Sequence, residues 1–160
     1  DWKAVRRDLD LRPVEGVTGS ESDAGILDKL AKFGITPESV TLWGTGTPMR
    51  EFLWSEEMAD ASVHVLLNVD FKDTYVTGSR DIRNCHINVG TGKEVSIREV
   101  AEIIMKEIGF KGILLWDSSK PDGTMRKLTD VSKLHSLGWH HKVEIDEGIE
   151  RLYKWYLKGV

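Results

Sequence analysis

The stretch Trp43-Gly-Thr-Gly-Thr-Pro-Met-Arg-Glu-Phe52 sets an indole ahead of a guanidinium, with two glycines and a proline between them. Glycine lacks a Cβ and reaches backbone conformations closed to other residues, so main-chain N–H groups at Gly44 and Gly46 are expected to come close to a flat or anionic ligand. Pro48 then fixes the direction in which the chain leaves. Arg50 carries a planar fork of donors that matches two phosphate oxygens at once, a geometry lysine cannot reproduce. The stretch therefore reads as one wall of a nucleotide-diphosphate site. A second set, Lys120-Pro-Asp-Gly-Thr-Met-Arg-Lys127, adds a turn carboxylate at Asp122 and a local positive cluster in which Lys127 is the foremost candidate. Trp43 and Arg50 are expected to converge with this acidic turn on one concave surface.

Each candidate has a plainer structural reading. A chain with six tryptophans buries most of them, which would make Trp43 a core residue. A lone arginine is usually solvated, and Asp122 between proline and glycine is an ordinary turn residue. The five histidines, His64, His86, His135, His140 and His141, have no partner at ligand spacing, so no metal site is expected. Cys85 is the only cysteine, which excludes an intramolecular disulfide and suits a reducing cytoplasm. Just before an apolar run, it reads as a small buried hydrophobe. Glu56 and Glu57 read as charges facing the positive end of a helix dipole.

The elements that must position these groups are legible from patterning. A length of 160 residues with 40% hydrophobic and 30% charged side chains fits an ordinary globular domain. The net charge of −4 comes from mixed signs, which argues against a nucleic-acid face, and no apolar run is long enough to cross a membrane. The opening Asp1-Trp-Lys-Ala-Val-Arg-Arg-Asp8 reads as mid-helix sequence and predicts a piece of something longer. A turn-rich stretch from Arg12 precedes a short helix through Ile26, Leu27, Leu30 and Phe33 that Gly34 closes. Residues 1–39 are expected to be an insertion-like excursion, and 40–160 the main domain. Val40–Trp43 predicts a strand, Arg50–Trp54 an extended segment, and Ser55 the N-cap of a helix. Residues 68–85 predict a surface loop, and His86–Gly90 a strand running into a Gly-Thr-Gly turn. Ser96-Ile-Arg-Glu99 is a capping-box pattern that opens a helix with Ile97, Val100, Ala101, Ile104 and Ile108 on one face. Gly112–Trp116 predicts a short buried strand, Asp130–Leu137 a helix stopped at Gly138, and Ile145–Tyr156 a last helix. Alternating strands and helices of this kind argue for an α/β architecture.

From about Val40 onward the chain resembles the C-terminal part of the GDP-L-fucose synthases, a family of extended short-chain dehydrogenase/reductases. The resemblance rests on Trp43-Gly-Thr-Gly-Thr-Pro-Met-Arg-Glu-Phe-Leu53, His86-Ile-Asn-Val-Gly-Thr-Gly92, Ser119-Lys-Pro-Asp-Gly-Thr-Met-Arg-Lys127 and Leu134-His-Ser-Leu-Gly-Trp139. It implies an NADP-dependent enzyme that epimerises GDP-4-keto-6-deoxy-mannose and reduces it to GDP-L-fucose, a homodimer in the cytoplasm. It also implies substrate contacts at Trp43, Arg50 and Asp122, to which the local positive cluster adds Lys127. No Gly-x-x-Gly-x-x-Gly fingerprint opens a strand–helix unit, and no Tyr-x-x-x-Lys pair exists, since Tyr153 is followed by Leu157 and Tyr75 by Ser79. The chain is therefore expected to be the substrate-binding portion with the Rossmann half absent: no catalytic residues, NADP held by that half, and a monomeric, inactive fragment. Three alternatives stay open: another extended reductase or epimerase of nucleotide sugars, a non-catalytic nucleotide-sugar-binding module, and an interaction domain.

Overall fold

The computed structural model describes residues 1–76, 78 and 81–159, and the chain divides into two compact units. The first comprises Asp1–Gly44 with Lys111–Pro121, the second Thr45–Phe110 with Asp122–Val160.

In the first unit, α1 (Trp2–Leu11) starts under the Asp1 carboxylate, which accepts the Lys3 N–H at 2.9 Å. α2 (Asp23–Lys32) is capped by Ser22, whose hydroxyl accepts the Gly25 N–H at 3.1 Å, so both helix starts have their first donors satisfied from side chains. Leu9 and Ile26 are their buried residues. β1 (Ser39–Trp43) pairs in parallel with β4 (Ile113–Asp117), Val40 opposite Leu114 and Trp43 opposite Asp117. β4 is not the buried strand its composition predicts. Ile113 and Leu115 are 59% and 44% exposed, while Leu114 and Trp116 are half-buried, because successive side chains of a strand point to opposite faces and one face here stays open.

The second unit contains β2 (Met49–Arg50) paired antiparallel with β3 (Val95–Ser96), and the helices α3 (Ser55–Asn68), α4 (Ile97–Ile108), α5 (Ser132–Ser136) and α6 (Ile145–Leu157). Its core is Ala61, Leu134 and Trp139, flanked by Leu53, Val65, Ile87 and Val89. The Trp139 indole N–H donates to Asp60 at 2.8 Å, which satisfies the one polar atom that this burial would strand. α4 forms as its pattern requires. Ser96 and Glu99 close a reciprocal capping box, and Gly109 ends the helix at φ 70°.

Several expectations are corrected. The N-cap of α3 is Trp54, with Ser55 already helical, and the Trp54 indole donates to Glu56. Glu57 is buried and accepts the N–H groups of Lys142 and Val143, so it ties the approach of α6 to α3 and is more than a helix-start charge. His86–Gly90 is not a strand. The His86 carbonyl accepts from the Lys133 ammonium at 2.9 Å and the Asn88 amide donates to the Asp130 carbonyl at 2.9 Å, so side chains take the place of a ladder. α5 is shorter than predicted, because Asp130 turns the chain by accepting the Ser132 N–H. Between 68 and 85 a 3-10 helix occupies Phe71–Thr74; Thr77, Ser79 and Arg80 of that predicted loop lie outside the described residues. Cys85 is exposed, and of the tryptophans only Trp139 is buried.

Candidate functional site

Arg50 ends β2 half-buried, and its placement is determined by main chain. Its Nη1 donates to the Met49 carbonyl and to the Thr124 carbonyl, both at 2.6 Å. Among the described residues these are its hydrogen bonds, which leaves the donors on Nη2 and Nε for a ligand. A Cβ built on Gly123 would stand 3.1 Å from Nη2, so the residue after Asp122 is small where the guanidinium lies against it. The turn from Asp122 to Thr129 is thus held to the β2 strand at consecutive points. The Met49 N–H donates to Met125 O at 2.8 Å, Arg50 to Thr124 O, and the Thr129 N–H to Glu51 at 3.0 Å.

Asp122 faces Thr45. Its carboxylate accepts the Thr45 N–H at 2.9 Å and the Thr45 hydroxyl at 2.7 Å. These bonds hold its carboxyl below the usual aspartate range, the hydroxyl contributing most. The carboxylate is therefore charged and fastened, and what it offers a sugar or base is its remaining lone pairs. Lys127 is exposed and makes no ion pair or hydrogen bond among the described residues. Arg126, in the same cluster, pairs with Glu94 at 2.7 Å.

The glycine bend does a different job from the one its composition suggests. Gly44 and Gly46 have φ of 79° and 76°, as a tight bend requires, but both are buried. The Gly44 N–H donates to Asp117 O and the Thr47 N–H to the Thr45 hydroxyl. The carbonyls of Gly46 and Pro48 accept the first N–H groups of α4, from Arg98 and Ile97. The bend is a cap for α4, and its exposed surface toward a ligand is made by side chains.

Trp43 belongs to the first unit. The residue is 76% exposed, with the Lys120 ammonium 5.6 Å from the ring centre. Trp43 is therefore not the core residue that its type predicts. The cation over its face adds positive charge at an aromatic platform.

Two groups at the site escaped sequence reasoning. Glu51, next to Arg50, accepts the N–H groups of Thr91 at 2.6 Å, Gly92 at 2.7 Å and Thr129 at 3.0 Å. A Cβ on Gly90 would collide with its carboxylate, which is why the Asn-Val-Gly sequence needs glycine there. Lys93 lines a small cleft of about 70 Å³ with Arg50, Phe52, Thr91 and Glu144, and its ammonium pairs with Glu144. No charge pattern marked Lys93, because its partners lie far along the chain. His135 and His140 stack at 4.1 Å, a contact their spacing did not suggest. Among the described residues no group of three or more His, Cys, Asp or Glu is arranged to hold a metal, and no helix is long and apolar enough to cross a membrane.

A model of the NAD dependent epimerase/dehydratase family matches residues 11–90. The chain is 46% identical over 120 residues to the GDP-L-fucose synthase of Escherichia coli K12, covering 75% of this chain and 36% of that protein. It is 50% identical over 123 residues to GDP-L-fucose synthase 1 of Arabidopsis thaliana, covering 77% of this chain and 34% of that protein. Among solved structures, a GDP-D-glycero-L-gluco-heptose synthase from Campylobacter jejuni, determined in the presence of NADPH, superposes with a TM-score of 0.80 at 37% identity, covering 98% of this chain and 40% of that one. The chain spans about a third of the length of the curated relatives it matches.

Proposed function

From a chain that belongs to the NAD-dependent epimerase/dehydratase family, we propose the substrate-binding portion of an NADP-dependent GDP-L-fucose synthase, a cytoplasmic homodimer when whole. The observation that carries this reading is Arg50, held through one nitrogen by two carbonyls with its other donors left for a ligand, in a chain at 46% and 50% identity to such enzymes. The diphosphate of a GDP-sugar lies along the free edge of the guanidinium, which can meet two oxygens at once. Asp122 and Lys127 flank it from the adjoining turn, the former accepting from hydroxyl or base N–H groups and the latter adding charge. On the first unit, taken by itself, Trp43 offers an exposed aromatic face suited to a nucleotide sugar. Binding energy from the nucleotide, remote from the reacting carbons, positions the ketosugar for groups outside this chain.

The Gly90-Thr91-Gly92 turn and the helix after it do not fit the pyrophosphate of NADP. A pyrophosphate needs free N–H groups at a helix start, and α4, which follows the Gly90-Thr91-Gly92 turn, has its first donors taken by Pro48, Gly46 and Ser96, with the Glu99 carboxylate at its end. In the proposed reading, hydride transfer and epimerisation use groups other than this turn, which serves the fold.

Calorimetric titration with GDP and UDP tests the binding reading. GDP should bind more tightly than UDP, and Arg50→Ala should weaken GDP by roughly 10- to 100-fold. Equal affinity for the two nucleotides, or an unchanged GDP affinity in R50A, would overturn it. A second reading, a GDP-linked heptose as substrate, is favoured by superposition: the heptose synthase covers 98% of this chain, whereas a GDP-L-fucose synthetase from Naegleria fowleri covers 88%. Turnover of each GDP-ketosugar by the full-length protein with NADPH separates the two.

A further inference from the structure

Glu51 has no place in the ligand contacts just described, yet it is the most heavily bonded carboxylate around Arg50. Its Oε1 accepts the N–H groups of Thr91 and Gly92 at 2.6 and 2.7 Å, with the Thr91 hydroxyl at 3.3 Å, and its Oε2 accepts the Thr129 N–H at 3.0 Å. Two stretches far apart in sequence, the Gly90–Gly92 turn and the turn from Asp122, therefore close on one side chain.

We propose that Glu51 is a positioning residue for diphosphate recognition, fixing the Asp122–Thr129 turn so that Arg50 presents its free donors in one orientation. The proposal rests on the GDP-binding reading of Arg50. The geometry is that of consecutive residues on an extended chain, whose side chains leave on opposite sides. Arg50 holds the turn at Thr124, and Glu51 holds the same turn five residues later at Thr129. With the second grip lost, the Thr124 carbonyl that orients Nη1 is free to move, and the guanidinium loses the frame that made it ready for a bidentate ligand. A charged acceptor for three N–H groups is also harder to replace than a neutral one. Glutamine matches its shape but not its bonding: an amide oxygen can still serve Thr91 and Gly92, while the amide NH₂ meets the Thr129 N–H donor to donor. The carboxyl is held below the ordinary glutamate range. Partial burial pushes it up, and the bonds from Thr129, Gly92 and Thr91 more than offset that.

The test is a double-mutant cycle on the full-length protein, reading the GDP dissociation constant by calorimetry for wild type, R50A, E51Q and R50A/E51Q. E51Q should weaken GDP roughly tenfold when Arg50 is present and less than about twofold when it is absent. The same loss in both backgrounds, or none in either, would overturn the proposal, since a purely structural role ignores whether Arg50 is there. In turnover, E51Q should raise KM for the GDP-sugar and leave kcat within about twofold, and a fall in kcat at constant KM counts against it. If R50A binds GDP as wild type does, the binding reading itself fails, and Glu51 has nothing to position. If E51Q does not fold, amide exchange on wild type decides: GDP should slow exchange at Thr91, Gly92 and Thr129, and unchanged rates would sink the idea.

Discussion

Gly123 separates binding from stability more cleanly than any other residue at the site. Its φ is not in the left-handed region, so alanine there carries no backbone strain, and the added methyl meets the far end of Arg50 at 3.1 Å. Gly123→Ala should therefore leave the urea midpoint nearly unchanged while weakening GDP several-fold, because the guanidinium must turn aside; paired titrations and unfolding curves read both. Glu51 makes the opposite kind of prediction. Its folded pKa lies below the ordinary value of 4.5, so its charged form is favoured in the folded state. The stability it contributes is complete above that value and is lost as the pH falls through the lower folded one. Urea midpoints taken across the acid range should show the gap between wild type and E51Q narrowing there; a constant gap would mean that the charge is not what holds the turns.

At the scale of elements, α4 depends on its start. The Ser96 hydroxyl accepts the Glu99 N–H at 3.1 Å while the Glu99 carboxylate accepts the Ser96 N–H at 2.7 Å, and Gly46 and Pro48 take the next two donors. Ser96→Ala should cost about 1 kcal/mol in chemical denaturation, and Glu99 should then lose the hydroxyl that helps keep its carboxyl low. The Ser-Ile-Arg-Glu pattern could be read from sequence because a capping box is local, closed within one turn. The strand expected at His86–Gly90 could not be judged that way. A strand exists only through a neighbour, and the residues that reach this segment are Lys133 and the Asp130 carbonyl. The same holds for Ser55, displaced as N-cap by Trp54 because the helix begins one residue earlier than its composition suggests.

At the scale of the molecule, the apolar content that seemed ample for one core is divided between two units, and the second closes around Ala61, Leu134 and Trp139. Leu134 is fully buried, so Leu134→Ala should destabilise by about 2 to 5 kcal/mol in urea unfolding, a loss from which a core this small has little room to relax. Many large apolar side chains stay on the surface instead, Leu66 and Leu67 of α3 at 81% and 74% exposure among them. Residue order was enough for the helices with local caps, the β1 strand, and the choice of Arg50 and the Asp122 turn as candidates, because those signals lie within a few residues or in a motif. What each candidate bonds to came from the folded arrangement. It gave the buried glycine bend to α4, fastened Asp122 to Thr45, and made Glu51 the acceptor for two distant turns. A hydrogen bond between residues 40 or 78 positions apart depends on where the folded chain returns, and no window of residue types records that.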